Sequence, residues 1–202
     1  MEELRDRNGL TEQEFLATYD ASKYDRPSVT VDIIILKDNK VLLIRRGGHP
    51  CIGKLAFPGG FVEPNEDVYQ AAVRELMEET CLKVRNLKQL RVASEPNRDP
   101  RTRIITVPFL ADVENAEAIS ASDDAMAAKW CPYSYKKYEM NGVTLFEISV
   151  VADTERYTFK VSRSIDKSGL RVDPIYKMVG KSPLAGDHAE LMTMALDVME
   201  ND

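Results

Sequence analysis

The chain has few of the residues that mark several common classes of protein. Only three of its 202 residues are cysteines, two are histidines and one is a tryptophan. Cys51, Cys81 and Cys131 are odd in number, far apart in sequence and without the spacing of metal ligands. We therefore expect three free thiols in a reducing compartment rather than a disulfide framework.

Long hydrophobic runs and an excess of basic residues are also missing. No apolar run is long enough to span a membrane, and the opening MEELRDRNG has no hydrophobic signal region, so we expect a cytoplasmic protein without a membrane partner. The net charge of -6 argues against nucleic acid as a partner. A small anionic substrate stays open, because a bound metal can reverse the local potential.

The length and the hydrophobic content are those of one folded unit. A chain of 202 residues with 44% hydrophobic content can bury a proper core, so we expect a single domain over residues 1–202.

The most informative stretch is 59–82, GGFVEPNEDVYQAAVRELMEETCL. Glu75 precedes Glu78 and Glu79 by three and four positions, which places all three on one side of a helix. Three like charges repel one another unless a cation neutralises them. Three carboxylates supply only oxygen ligands, which suit Mg²⁺ or Mn²⁺ rather than zinc. The alternative is a solvated acidic face that binds no metal.

The spacing of this stretch resembles the signature of the Nudix hydrolases. It runs from Gly60 through Glu66 to Arg74 and the glutamates, and it ends on the apolar Leu82. One position departs from the signature, because Cys81 stands where the family has a glycine after the helix. A non-glycine residue in the left-handed conformation expected there costs about 1 kcal/mol.

The resemblance implies a role for each signature residue. The metal ligands would be Glu75, Glu78, Glu79 and the main-chain carbonyl of Gly59, and the catalytic residues would be Glu78, Glu79 and Arg74. Arg74 lies four residues before Glu78 and is expected to hold one carboxylate in position. The pair Gly59 and Gly60 allows close approach of the backbone to a ligand.

Arginines follow two predicted strands at positions that suit phosphate binding. Either Arg45 or Arg46 is expected to point at substrate phosphates, and we favour Arg46, although both are explained equally well as solvated cations. The densest basic cluster lies around Asp99 and consists of Arg98, Arg101 and Arg103. A solvated turn would explain this cluster, but a phosphate-rich ligand would too. The phrase RDPRTR resembles the Nudix branch of ADP-ribose pyrophosphatases and ADP-ribose-sensing regulators.

The patterns predict an α/β fold, and the resemblance implies a mixed sheet sandwiched between helices, as in the Nudix fold. The core would span 27–132, with an insertion at 133–183 and a terminal helix at 184–200. A capping box at Thr11 and Glu14 predicts a short helix that packs on the main body. Strands are predicted at 29–36, 41–44, 84–94, 104–113 and 128–130, and an inserted hairpin at 143–151 and 156–165.

Several side chains are assigned only as alternatives. A further metal ligand or base is expected from a loop outside the signature, and the candidates are Glu114, Glu117, Ser122, Asp123 and Asp124. His49 and His188 are expected to be structural rather than catalytic.

The resemblance implies an Mg²⁺-dependent hydrolase. Its substrate would be a nucleoside diphosphate linked to another moiety, with ADP-ribose or a similar nucleotide sugar first. A catalytically silent sensor of ADP-ribose and a nucleoside triphosphate pyrophosphatase are the alternatives. The partner is expected to be a small phosphorylated nucleotide, and a homodimer stays open.

Overall fold

The computed structural model describes residues 4–114, 128–166, 168 and 172–201. Within these residues the chain forms three helices, α1 Glu12–Thr18, α2 Val68–Thr80 and α3 His188–Asn201. The strands are β1 Ser28–Ile34, β2 Leu36–Lys37, β3 Lys40–Arg45, β4 Leu55–Ala56, β5 Gly59–Phe61, β6 Val84–Gln89, β7 Ile104–Val113, β8 Lys129–Met140, β9 Val143–Ala152, β10 Glu155–Ser164 and β11 Ile175–Val179. None of the described helices has the length and hydropathy that crossing a bilayer requires.

A mixed sheet of four strands lies at the centre, in the order β5, β1, β7, β6. Strand β1 runs parallel to β7 and antiparallel to β5. Its β-branched side chains alternate between two cores, since Val31 and Ile33 pack in the cluster that contains α2 whereas Ile34 packs in the cluster that contains α3. The sheet therefore lies between two helices, as the predicted fold class requires.

A second, larger sheet has the order β11, β10, β9, β8, β3, β2, with β4 paired to β3. The predicted hairpin is present as β9 and β10. Two expectations are wrong here. The short strand expected at 128–130 is the start of the twelve-residue β8. The passage after the hairpin, expected to contain only turns, contains β11. In β8 most positions after Cys131 are exposed or half-buried and many are polar, so the apolar alternation that marks a strand is weak.

Helix α2 begins at a capping box in which the Asp67 carboxylate accepts from the Gln70 backbone and the Gln70 amide oxygen accepts from the Asp67 N–H. Its buried face consists of Ala71, Ala72, Leu76 and Thr80. Val73 and Met77 are also apolar but are 43% and 36% exposed. Each lies one residue, or about 100° of rotation, beyond a buried neighbour.

Helix α1 begins at the predicted capping box. The Glu14 backbone N–H donates to Thr11 Oγ1 at 3.2 Å, and the Thr11 N–H donates to the Glu14 carboxylate at 2.8 Å. The predicted packing on the main body is wrong, since no residue of α1 is buried and Phe15 is 43% exposed. A cap is a local interaction that the sequence specifies, whereas packing also needs a partner surface elsewhere in the chain.

Cys81 caps the C-terminus of α2 directly after Thr80. It has φ 57° and ψ 16° and is exposed. This left-handed conformation is the one expected where the signature has glycine. Cys81→Gly is expected to leave Tm unchanged or raise it by about 2–4 °C, because relief of a strain of about 1 kcal/mol has that effect in a chain of this size. Thermal denaturation followed by circular dichroism measures the change.

Cys81→Ala is the matched control, since it removes the thiol but keeps the Cβ that causes the strain. Its Tm is expected to equal that of the wild type. A clear loss of Tm in both variants, with metal binding retained, would show that the thiol is packed and would contradict the backbone explanation.

Candidate active site

The signature helix is attached to the central sheet at Gly59. The backbone N–H of Gly59 donates to Glu79 Oε2 at 2.9 Å. A Cβ at Gly59 would lie 2.1 Å from the backbone oxygen of Val31, so only glycine fits beside β1. The antiparallel register pairs Gly59 with Asp32, which brings that carboxylate to the same place. The hydrogen bond from the Gly59 N–H therefore links the last turn of α2 to the start of β5.

The Glu79 carboxyl is in a site that disfavours its charge. Burial raises its pKa to about 7, and the nearby carboxylates of Glu75 and Asp32 raise it as well. The Gly59 N–H and the guanidinium of Arg46 act in the opposite direction. A cation bound here would relieve the crowding of carboxylates.

Arg74 is the centre of the interactions on the exposed side of the signature. It donates to both carboxylate oxygens of Glu66, at 3.0 and 2.5 Å, and to the carbonyl of Phe61 at 3.0 Å. One of its nitrogens also donates to Glu75 at 2.8 Å and to Glu78 at 3.2 Å. This guanidinium holds the pKa of Glu66 below its ordinary value. Arg74 therefore contacts three glutamates of the signature and β5 at the same time.

Gly60 leaves room for one of these carboxylates. A Cβ at this position would lie 2.3 to 2.6 Å from the carboxylate atoms of Glu75. The two glycines thus have different neighbours, since Gly59 adjoins backbone and Gly60 adjoins a side chain. The absence of a side chain at Gly60 is what lets Glu75 lie against β5.

The three signature glutamates differ in their surroundings. The side chain of Glu75 is 14% exposed, whereas that of Glu78 is 59% exposed. In the part of the chain that the structure describes, no three acidic, histidine or cysteine side chains converge as metal ligands. The chemistry of the donors nevertheless fits a hard cation, because carboxylate and carbonyl oxygens are the ligands that Mg²⁺ and Mn²⁺ prefer.

A cavity of about 260 Å³ adjoins this junction. Five parts of the chain form its walls, namely β1, the segment after β3, β5, the loop at 98–103 and the residues at the start of α3. The polar and aromatic groups that line it are Asp32, Arg46, Phe61, Arg98, Asp99, Arg101, Asp187 and His188, together with Gly59 and Gly60. Its size suits one end of a nucleotide-like ligand rather than a whole one.

Only one arginine of the pair at the end of β3 faces this cavity. Arg46 lines it, with its Nε donating to the carbonyl of Pro50 at 2.9 Å. Arg45 instead donates to Asp153 at 2.8 Å and to the carbonyl of Gly53 at 2.7 Å. Neighbouring side chains of a strand point to opposite faces, which is why the two arginines separate.

The three arginines of the loop at 98–103, which precedes β7, also have different surroundings. Arg98 is 8% exposed and donates to both oxygens of Asp187, at 2.8 and 2.6 Å, so it links the loop to the start of α3. Arg101 donates to both oxygens of Asp99, at 3.0 and 2.9 Å. Arg103 does not line the cavity and donates to a backbone carbonyl at 3.2 Å.

Asp32 and His188 line the cavity and were not predicted as site residues. Asp32 accepts from the hydroxyl of Thr106 at 2.6 Å, and it lies 3.4 Å from Nε2 of His188. A carboxylate within the apolar run VTVDIIIL was the available signal for Asp32. His188, expected to be structural, is buried in this wall.

The candidates for a loop ligand remain undecided. Glu114 lies in an exposed turn after β7. Glu117, Ser122, Asp123 and Asp124 fall outside the described residues. His49, expected to be structural, is exposed.

Comparisons with known proteins agree with this geometry. Residues 26–138, more than half of the chain, match the NUDIX domain. The chain is 50% identical over 109 residues to an ADP-ribose pyrophosphatase of Methanocaldococcus jannaschii, with 53% of this chain and 63% of the relative covered. It is 36% identical over 110 residues to the ADPR responsive transcriptional repressor NtrR of Acinetobacter baylyi, with 52% and 44% covered. The chain therefore spans less than two thirds of either relative.

The whole fold also has a counterpart among solved structures. The crystal structure of a MutT/nudix family protein from Enterococcus faecalis aligns with a TM-score of 0.65 and 29% identity, over 97% of this chain and 71% of that one. The signature, the fold and the domain match all lead to one assignment: the chain belongs to the Nudix family.

Proposed function

We propose that the chain is a metal-dependent pyrophosphohydrolase that cleaves a nucleoside diphosphate linked to another moiety, with ADP-ribose or a similar nucleotide sugar as its substrate. The observation that carries the proposal is the junction of Gly59 and Glu79 beside a cavity lined by Arg46. A pyrophosphate can lie there between a cationic side chain and the signature carboxylates. The relative from M. jannaschii, described as an ADP-ribose pyrophosphatase, supports this choice of substrate.

The proposed cofactor is Mg²⁺ or Mn²⁺, held by Glu75, Glu78, Glu79 and the carbonyl of Gly59. When bound, the ion would neutralise charge on the phosphate oxygens and lower the pKa of an attacking water. Arg74 donates to Oε1 of Glu75 and to Oε2 of Glu78, and each carboxylate has a second oxygen that could bind the ion. Arg74 then remains attached to Glu66 and keeps the helix and β5 in register.

Two glutamates compete for the role of general base. Glu78 is the more exposed and can release a proton directly to solvent. Glu79 is buried, which raises the pKa of its carboxyl to about 7 when no ion is bound, and a bound cation would favour the charged form that can accept a proton. A carboxylate from the stretch 115–127, such as that of Glu117, stays a third candidate.

A product assay tests the proposal directly. ADP-ribose, other nucleotide sugars, dinucleotides and nucleoside triphosphates are each incubated with the chain, with Mg²⁺ or with EDTA. We expect ADP-ribose to give AMP and ribose 5-phosphate only when the metal is present. Faster cleavage of a triphosphate would instead assign the chain to the triphosphate pyrophosphatases.

A catalytically silent sensor is the second candidate, and the similarity to a repressor described as ADPR responsive favours it. Such a repressor would need a module that reads DNA. The described residues after β7 form strands β8 to β11 and helix α3 rather than a winged helix. Tight binding of ADP-ribose without cleavage of any substrate in the panel would establish the sensor.

Arg101→Ala is expected to raise KM for ADP-ribose about tenfold, the loss of one charge-assisted hydrogen bond, with kcat little changed. The Arg101 guanidinium lies 5.4 Å from the ring centre of Phe61 and lines the cavity, so it can contact an anionic substrate. Steady-state kinetics on the purified variant measure both constants.

Arg103→Ala is the matched control, because this arginine belongs to the same loop but does not line the cavity. Its KM is expected to be that of the wild type. An unchanged KM in Arg101→Ala would mean that Arg101 serves only its ion pair with Asp99.

The remaining expectations are kept as proposals. The partner is a small phosphorylated nucleotide and not a nucleic acid, and a homodimer stays open. All three cysteines are free, as a reducing compartment requires, and a cytoplasmic location is still a prediction.

A further inference from the structure

His188, the first residue of α3, contacts the loop that carries the candidate metal site. Its Nδ1 accepts a hydrogen bond from the backbone N–H of Phe57 at 2.9 Å. The imidazole also stacks on the Phe57 ring, with a centroid distance of 5.2 Å and an interplanar angle of 10°. The side chain is therefore held by two contacts to one residue, 131 positions earlier in the chain.

The second ring nitrogen faces a carboxylate. Because Nδ1 accepts a hydrogen bond, the proton of the neutral ring lies on Nε2, which is 3.4 Å from Asp32 Oδ1. The other oxygen of Asp32 accepts from Thr106 Oγ1 at 2.6 Å. Both ring nitrogens thus have partners, so His188 has no lone pair free to activate water.

The segment that His188 holds leads directly to Glu79. Phe57 donates to His188, the carbonyl of Pro58 accepts from the Ile33 N–H at 2.8 Å, and Gly59 donates to Glu79 at 2.9 Å. Each peptide of this segment is attached to a different element, namely α3, β1 and α2. Loss of the first attachment leaves the Phe57 N–H without this acceptor, whereas the preceding β4 stays paired with β3.

We propose that His188 is a positioning residue, which holds the Phe57–Gly59 segment so that the Gly59 peptide keeps Glu79 in its catalytic orientation. This role rests on the proposed function for its kinetic consequence, but the coupling of His188 to Gly59 does not depend on it. Helix α3 thereby contributes to the active site from outside the signature.

Three variants separate the contacts of His188. His188→Phe keeps the stacking ring but removes both nitrogens. His188→Asn places an amide oxygen close to the position of Nδ1 and keeps the acceptor for Phe57. Leu196→Ala removes a buried side chain two turns later on α3 and controls for general loss of stability.

The kinetic readout compares kcat with KM for ADP-ribose. His188→Phe is expected to lower kcat at least about tenfold with KM within about twofold of wild type, because misplacing a catalytic group by a fraction of an ångström has effects of this size. His188→Asn is expected to recover most of that loss. Leu196→Ala is expected to lower Tm while kcat is retained.

A second readout needs neither substrate nor metal. In the metal-free protein, His188→Phe should shift the amide resonance of Gly59 in a ¹⁵N–¹H correlation spectrum and speed hydrogen exchange at the Phe57 amide at least about tenfold. His188→Asn should preserve both signals, and Leu196→Ala should leave the Gly59 resonance unmoved.

The outcomes are distinguishable. Absence of cleavage by the wild type would overturn the proposed function, and the spectra would still test the coupling. An unmoved Gly59 resonance in His188→Phe, or an equal loss of kcat in Leu196→Ala, would overturn the positioning role. If His188→Phe does not fold, His188→Gln replaces it, because its longer amide reaches the Nε2 position and leaves the Phe57 N–H without its acceptor.

Discussion

Glu79→Gln is expected to lower kcat for ADP-ribose by at least about a hundredfold, as is typical when a key polar catalytic group is lost. Glutamine has nearly the shape of glutamate, and its amide oxygen can still accept from the Gly59 N–H. The variant removes one charge from a crowded carboxylate cluster, so the fold should be retained. Mg²⁺-dependent product release and a thermal denaturation curve are measured side by side.

Glu63→Gln is the matched control for this change. It removes a carboxylate from the same loop and helix unit, but Glu63 is exposed and stands at a position whose residue type the signature does not specify. Its kcat is expected to equal that of the wild type. Near-normal turnover in Glu79→Gln would remove Glu79 from the metal site and leave Glu75 and Glu78 as the candidates.

Gly59→Ala and Gly60→Ala are expected to fail in different ways. At Gly59 the new Cβ would lie 2.1 Å from the backbone oxygen of Val31, and a central strand cannot move aside. We expect Tm to fall by about 5 °C or more, the effect of overpacking a rigid core in a chain of this size.

The same substitution at Gly60 meets the end of a flexible side chain. The new Cβ would lie 2.3 Å from Oε1 of Glu75, and that carboxylate can rotate away. We expect Tm within about 2 °C of wild type but kcat lowered at least about tenfold, since Glu75 leaves its position near the candidate metal site.

Gly48→Ala is the control for both variants, because a Cβ there has no atom within 4 Å and the position lies outside the signature. It should change neither Tm nor kcat. Equal losses of Tm in Gly59→Ala and Gly60→Ala would show that the ion pair with Arg74 holds Glu75 rigidly. The separation between stability and activity would then be wrong.

The clustered arginines at 98–103 have surroundings that the sequence did not predict. A dense basic cluster predicted contact with phosphates. Arg98 and Arg101 line the cavity, but Arg98 is already paired with Asp187, and Arg103 lies outside the cavity. Nothing near Arg98 in the sequence indicates Asp187, which lies 89 positions later. A pattern can show that cations are concentrated, but the ion pair that occupies Arg98 forms between distant parts of the chain.

The sequence by itself determined the signature helix, the capping box of α1 and the family. These features depend on neighbours within a few positions, where the geometry of a helix dictates which side chains meet. Only the tertiary structure decided that Arg46 rather than Arg45 faces the cavity, that α1 stays exposed, and that His188 reaches Phe57 and Asp32. Those outcomes depend on contacts between elements far apart in the chain, which local pattern cannot specify.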